Sequence, residues 1–386
     1  MDGASFQKPL EGILVLDFSQ FLSGPSAALR LADLGARVMK IERPGTGDIC
    51  RTLYISNLEL DGDSTLFHSI NRNKESFAAD LKKPNDVQLV AKLIGKADVL
   101  IQNFRPGVME KLGLDYETLK KINPRLVYGE ITGYGNEGPW VGKPGQDLLV
   151  QSLSGMTWLN GNGGQPPTPC GLAIADMSAG AHLVQGILSG LVRRGITGEG
   201  CLVQVSLLES ILDVQFAEFT TFLNDGGRLP IRSGIHNAHP YMAAPYGIYQ
   251  TKDGFLALAH GSVIELGKLL GCESLLEYAD PHGWLNQRDE IKRMLSEHLL
   301  LHSTREWLDR LEPAGYSCSE VLNWSQLMKH EGFQELDMIQ EVRRSNGYAM
   351  FTTRCPLRID GQLLTSGKGS PRIGEDNLNI RKEYRL

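Results

Sequence analysis

Asp176 sits in the segment AIADMSAG, an acid among alanine and glycine at the head of the apolar stretch 172–192. A carboxylate in such surroundings is costly unless its charge is used, either to cap a helix start or as a reactive group. On residue types alone, the N-cap is the commoner use. Two other segments gather charge beside glycine. KIERPGTGD (40–48) carries Lys40 and Arg43, and NFRPGVMEKLG (103–113) carries Arg105 and Lys111. Both follow apolar runs with strand character, and ligands of open α/β sheets bind at the C-terminal ends of strands. The pair points to an anionic ligand, with solvated surface charge the plainer account of each.

Other chemistries fail on their own motifs. A dinucleotide site needs G-x-G-x-x-G directly after the first strand, but GILVLDFS (12–19) is followed by SQFLSGPSAALRL, with one glycine and a proline. The Walker pattern is absent, although a phosphate could still sit on that helix start. His236 and His239, and His298 and His302, lack an H-E-x-x-H or companion carboxylates, so no metal site is expected and an exposed pair is the simpler account of the last two. QSLSG (151–155) only echoes a nucleophile elbow.

The elements that must position these residues alternate. Strand signals at 12–19, 36–42, 98–104 and 125–135 are separated by helical patterns at 23–35 and 86–97, with Ser23 available as a cap and Pro25 in the first turn. That spacing predicts βαβ units and a parallel sheet. A small-residue helix is expected over 175–194, then a strand at 201–210 running into a helix to about 227. The turn-rich stretch 228–254 leads to a strand at 255–262 and helices at 263–273, 286–300 and 304–313. The tail from about 331 reads as extended and loop.

The 386 residues suffice for two domains, and 41% hydrophobic with 22% charged content permits a sizeable core. A net charge of −6 argues against nucleic acid. The 43 glycines follow no three-residue period and cluster in turns at 44–47, 133–138 and 161–164, where backbone can approach a ligand. Six scattered cysteines read as reduced thiols, MDGASFQKPLEG shows no secretion signal, and 172–192 suits a buried helix better than a membrane span. A soluble cytoplasmic protein is expected.

Taken in order, LEGILVLDFSQFLSGP (10–25), LADLGARVMKIERPGTGD (31–48), NRNKESFAADLK (71–82), ADVLIQNFRPGVMEKLG (97–113), INPRLVYGEITGYGNEGP (122–139), GQDLLVQSLSG (145–155), AIADMSAGAHLVQGIL (173–188) and the 198–210 segment resemble the class III CoA-transferase family. That family includes formyl-CoA transferase and carnitine CoA-transferase, with alpha-methylacyl-CoA racemase as a relative. SPRIGEDN (370–377) resembles its closing motif, with Asp376 in place of the usual histidine.

The resemblance implies an α/β chain. A large Rossmann-like domain spans 1–227, with 326–386 returning to it, beside a smaller α+β domain at 228–325, in an obligate, interlocked homodimer. It implies that Asp176 attacks an acyl-CoA thioester, with nearby backbone N–H groups holding the oxyanion, and that CoA passes to a carboxylic acid. Coenzyme A is then substrate, with no tightly bound cofactor and no metal. Its contacts would be Leu22, Ser23, Arg43, the stretch Ala79, Asp80, Leu81 and Lys82, then Asn103, Phe104, Arg105, Lys111, Lys143, Gln146 and Asp147. Some relatives carry arginine at position 111; lysine keeps the charge but loses the fork. The racemase carries histidine where this chain has Gln146, which cannot exchange a proton, so a transferase is implied. His239 could supply a displaced base, and a non-catalytic CoA-binding protein is the other alternative. The glycine run of formyl-CoA transferase's small domain is missing from 228–262, so a differently organised acceptor pocket is expected.

Overall fold

The computed structural model describes residues 7–386. The first six residues of MDGASFQKPLEG, read above as free of a secretion signal, lie outside them. The chain forms two compact units.

The first unit takes the chain up to Val150, Ala173–Val214 and Glu335–Leu386. Its centre is six strands: β1 (Leu14–Asp17), β2 (Arg37–Glu42), β3 (Glu75–Ala78), β4 (Val99–Gln102), β5 (Val127–Thr132) and β6 (Cys201–Ser206). They lie in the order 3-2-1-4-5-6, and every neighbouring pair is parallel. Val15 of β1, for instance, pairs with Val38 of β2 on one side and Val99 of β4 on the other. Strands covered on both faces read as unbroken apolar runs, and all four residues of β1 and of β4 are buried. The helices used below are α1 (Ser23–Asp33), α2 (Pro84–Ile94), α3 (Ile174–Thr197) and α4 (Asn377–Tyr384). Leu93 and Ile94 of α2 and Ile380 of α4 close one core with Leu16, Met39, Phe77 and Leu100 of the sheet. This strand order is that of dinucleotide-binding folds, whose crevice opens where the order reverses, here between β1 and β4. The order is present without the glycine fingerprint.

The second unit takes Gln151–Leu172 and Gln215–Gln334, a wider span than the expected 228–325. It holds an antiparallel sheet of Gly247–Gln250, Phe255–Leu258 and Cys318–Glu320. Helices Val263–Leu270, Arg288–Leu299 and Thr304–Leu311 pack on its core around Trp307.

Three expectations need correction. Ser23 does not cap α1: Leu22 stands at the N-cap without a side-chain bond, and Ser23 is the first helical residue. The tail is not merely extended, since it contains the helix Glu331–Leu336, a hairpin of Ile339–Arg343 with Ala349–Thr353, and α4. Only Ile380 of α4 is buried while Leu378 is 83% exposed, so no apolar stripe announces that helix. His298 and His302 are not an open surface pair; both are half-buried with their rings against Trp307. Among the described residues no group of metal-binding side chains occurs, all six cysteines are free, and no helix is long and apolar enough to cross a membrane.

Candidate active site

Each segment assigned to CoA by the resemblance follows a strand of the sheet. Leu22 and Ser23 come after β1, Arg43 after β2, Ala79–Lys82 after β3, Asn103–Arg105 and Lys111 after β4, and Lys143–Asp147 after β5. Parallel strands therefore bring them to one edge. Arg43, Lys82, Arg105, Lys111, Lys143 and Gln146 are exposed there, whereas Ala79 is buried. Leu81 and Phe104 pack their apolar bodies against the sheet's core. Asp80 organises its own turn, its Oδ1 accepting from the Lys82 amide at 3.1 Å. Lys143 lies over Trp140, with Nζ 5.8 Å from the ring centre.

Lys40 departs from its expected role as a free cation. It is buried, with Nζ 2.7 Å from Asp48 and donating to the Ser19 carbonyl at 2.9 Å. Lys74, also buried, donates to Asp17 Oδ2 at 2.8 Å, to the Pro25 carbonyl and to Asn71. Burial opposes the charge on both lysines. Asp48 and Asp17 overcome this for Lys40 and raise its pKa. For Lys74 burial wins: it shares Asp17, gains least from Asp48 and is repelled by Lys40, so its pKa falls to about 8. The same two cations lower the pKa of Asp17 against its own burial. The network locks the turn after β1, from which α1 starts.

Asn103 spans the point where strand order reverses. Its Oδ1 accepts from the Gln20 amide at 2.8 Å and its Nδ2 donates to the Gln20 carbonyl at 2.7 Å, tying the end of β4 to the loop after β1. The same Nδ2 lies 3.5 Å from Ser23 Oγ.

Asp176 occupies the third position of α3, whose N-cap is Ala173 with no side-chain bond of its own. The N-cap reading of Asp176 is thus wrong. The capping oxygen comes from Asp147, whose Oδ1 accepts from the Ala175 amide at 2.7 Å and the Asp176 amide at 3.1 Å. Those two N–H groups, expected to hold an oxyanion, are already taken. α1 crosses α3 closely enough that a Cβ on Gly180 would stand 2.8 Å from the Ser23 carbonyl and 2.4 Å from Ser26 Oγ. That contact brings the start of α1 to the first turns of α3, where Ser23 favours the charged form of the Asp176 carboxylate. Burial first, and then the charge of Asp147, push the Asp176 pKa up to about 6, with Ser23 pulling the other way.

What places Asp147 is a backbone crossing that residue reading missed. Gly133, just past β5, meets Gly145, and a Cβ built on either would come within 2.6–2.8 Å of the other's Cα. Only glycine admits this contact two residues before Asp147. The signal in the sequence was the pair GYG and PGQD, visible as loops but not as partners. His239 is not a free base: Nε2 lies 2.7 Å from Glu218 and Nδ1 accepts from the Tyr241 amide, all within the second unit. A cavity of about 270 Å³ lies beside the ends of β4–β6, lined by Gln102, Arg105, Tyr128, Glu130 and Gln204 among others. An apolar one of about 580 Å³ lies in the second unit around Trp158, Phe219, Phe222 and Ile231. Asp176 lines neither, so volume alone does not mark the chemistry.

Residues 10–377 match the model of CoA-transferase family III. The chain is 34% identical to an acetyl-CoA:oxalate CoA-transferase of Acetobacter aceti, covering 97% of this chain and 96% of that protein. It is 32% identical to a succinate–glutarate CoA-transferase of Agrobacterium fabrum, covering 97% and 95%. Among solved structures, a CAIB/BAIF family protein from Brucella suis superposes with a TM-score of 0.84 at 31% identity, covering 98% and 99% of the two chains. Rv3272 from Mycobacterium tuberculosis gives 0.83 at 30% identity, covering 96% and 98%.

Proposed function

The chain belongs to CoA-transferase family III, and from that membership we propose a catalytic cycle in which Asp176 carries the acyl group. The enzyme moves CoA from an acyl-CoA donor to a carboxylic acid. In the cycle, a carboxylate oxygen of Asp176 attacks the thioester carbonyl, the C–S bond breaks, and CoA leaves as thiolate. The thiolate attacks the aspartyl carbonyl of the resulting mixed anhydride and releases the donor acid, leaving an aspartyl-CoA thioester. The acceptor carboxylate attacks that thioester and frees the thiolate again. The thiolate then takes the acceptor's acyl group and restores Asp176.

The observation that carries this reading is the setting of Asp176, half-buried in the first turn of α3 against Ser23 and Asp147, with its pKa raised to about 6. At neutral pH it is mostly ionised and more basic than an ordinary aspartate, as a nucleophile needs. The first turn of α1 has no side-chain cap, so its N–H groups suit the thioester oxygen better than the occupied ones of α3. The exposed cations Arg43, Arg105, Lys111 and Lys143 suit the phosphates of CoA, with Leu22, Ser23, Ala79–Lys82, Asn103, Phe104, Gln146 and Asp147 completing its contacts. No resident cofactor enters the cycle.

The acceptor is a short dicarboxylic acid by this reading, because oxalate, succinate and glutarate stand in the names of similar proteins. A homodimer in the cytoplasm completes it. Large apolar side chains left open to solvent, such as Ile196, Leu229 and Ile231, are the kind of surface a partner copy covers. The test is a panel of acids offered with acetyl-CoA or succinyl-CoA, following new thioesters by mass. Transfer to dicarboxylates, lost in Asp176→Asn, is expected. Solvent deuterium entering the α-carbon of a 2-methylacyl-CoA, with no thioester exchange, would overturn the proposal in favour of a racemase.

A further inference from the structure

Three elements meet at Asp176, and they treat its charge differently. Asp147, from the segment after β5, brings a negative charge. α3 brings two amides already spent on Asp147. α1 brings only Ser23, which is 3% exposed and ordered from behind by Asn103. Apart from Arg193 near the far end of α3, the remaining charged groups on elements packed around that helix are engaged elsewhere. Arg30 and Asp33 of α1 pair with each other, and Asp33 also with Arg72. His182 of α3 pairs with Asp213 at 3.2 Å, Arg194 with Asp98 at 2.9 Å, and Glu209 accepts from Ser206. Glu130 of β5 accepts from Asn136 and Gln204. No cation faces Asp176 from these elements, so a hydroxyl does what a cation does in many acidic sites.

Resting on Asp176 as nucleophile, we propose that Ser23 is its positioning residue: clamped by Asn103 at the strand-order reversal, Ser23 donates its hydroxyl hydrogen to the Asp176 carboxylate and fixes which oxygen faces the thioester. The clamp is anchored on backbone. Asn103 is fixed to the Gln20 backbone by two bonds of 2.7 and 2.8 Å, and its Nδ2 faces the Ser23 oxygen. That contact uses the oxygen as acceptor and leaves the serine hydrogen for the carboxylate. Gly180 and Ser26 set the distance between α1 and α3 at this point, since the Ser26 hydroxyl donates to the Ser23 carbonyl at 2.8 Å. The residue assigned to CoA by resemblance therefore has a second task, directed at the enzyme's own nucleophile.

A hydrogen bond to a charged group is worth enough to move its titration by about one pH unit. The test uses the full-length wild type, Ser23→Ala and Ser23→Thr with saturating succinyl-CoA and hydroxylamine, which converts acylated Asp176 to its hydroxamate. The rate of hydroxamate formation in the peptide containing Asp176 is read by mass across pH 5–9, which needs no knowledge of the acceptor acid. Expected is a wild-type acid midpoint near pH 6. Ser23→Ala should move it up by about one unit, so labelling falls about tenfold at pH 5 and about twofold at pH 7. Ser23→Thr, which keeps the hydroxyl, should restore the wild-type midpoint. A Ser23→Ala profile that overlays the wild type overturns the proposal. Equal losses in Ser23→Ala and Ser23→Thr with the midpoint unmoved also overturn it, because packing alone then accounts for the site. A wild type that never labels at Asp176 overturns the nucleophile and this proposal together, which separates the two failures.

Discussion

Replacing Asp176 by asparagine should make the protein more stable above pH 6 while abolishing transfer. Burial and Asp147 raise the carboxyl from the usual 3.8 to about 6. The folded state therefore holds that proton more tightly than the unfolded state, and stability declines as pH rises between those values. The cost is absent below about pH 4 and complete above about pH 6. Two units at roughly 1.4 kcal/mol each make it about 3 kcal/mol. With an unfolding entropy of about 2.1 cal/mol/K per residue, a chain of this length should gain about 4 °C in Tm. The assay is thermal unfolding of wild type and Asp176→Asn at pH 4.5, 6 and 8, followed by circular dichroism, with CoA exchange measured in parallel. The Tm difference should grow from about a third of its full value at pH 4.5 to the whole of it at pH 8. A constant difference across that range, or a less stable variant at pH 8, would falsify the electrostatic account of the site.

Asp147→Asn keeps an oxygen for the Ala175 and Asp176 amides but removes the negative charge, so the acid limb of kcat/KM should shift below pH 6; an unmoved limb would count against Asp147 as a source of the raised pKa. Gly145→Ala places a Cβ about 2.6 Å from the Gly133 Cα, backbone that cannot swing away. Denaturation should show a loss of about 1–3 kcal/mol, and transfer should fall at least tenfold as Asp147 is displaced. Asp17→Asn leaves Lys74 and Lys40 short of their shared buried counter-charge, and a loss of about 3–5 kcal/mol is expected in urea titration; a change within experimental error would mean the network contributes little.

The sheet is legible in the sequence because strands covered on both faces are written as apolar runs, such as LVLD of β1 and VLIQ of β4. β3, ESFA, escapes that reading because Ser76 is buried for its bond to Glu42 at 2.6 Å, a long-range reason with no local trace. The cations after strands are legible as charges, but not as buried or free. Lys40 and Arg43 are three residues apart and end in opposite environments. Asp176 stands out by its company of small residues, yet its cap arrives from Asp147, 28 residues before Ala175, and no periodicity connects the two. The partnership of Gly133 with Gly145 is hidden for the same reason. Each glycine looks like a turn, and only folding makes them neighbours.

Asp147 occupies the positive end of α3, which would otherwise draw the proton affinity of Asp176 down. A more basic carboxylate attacks an acyl carbon more readily and, once acylated, departs less readily. In a cycle where acyl groups load onto and unload from one oxygen, that shift draws the aspartyl intermediate closer in energy to the thioesters on either side. The ease of running the exchange in both directions is then set by how a helix start is capped.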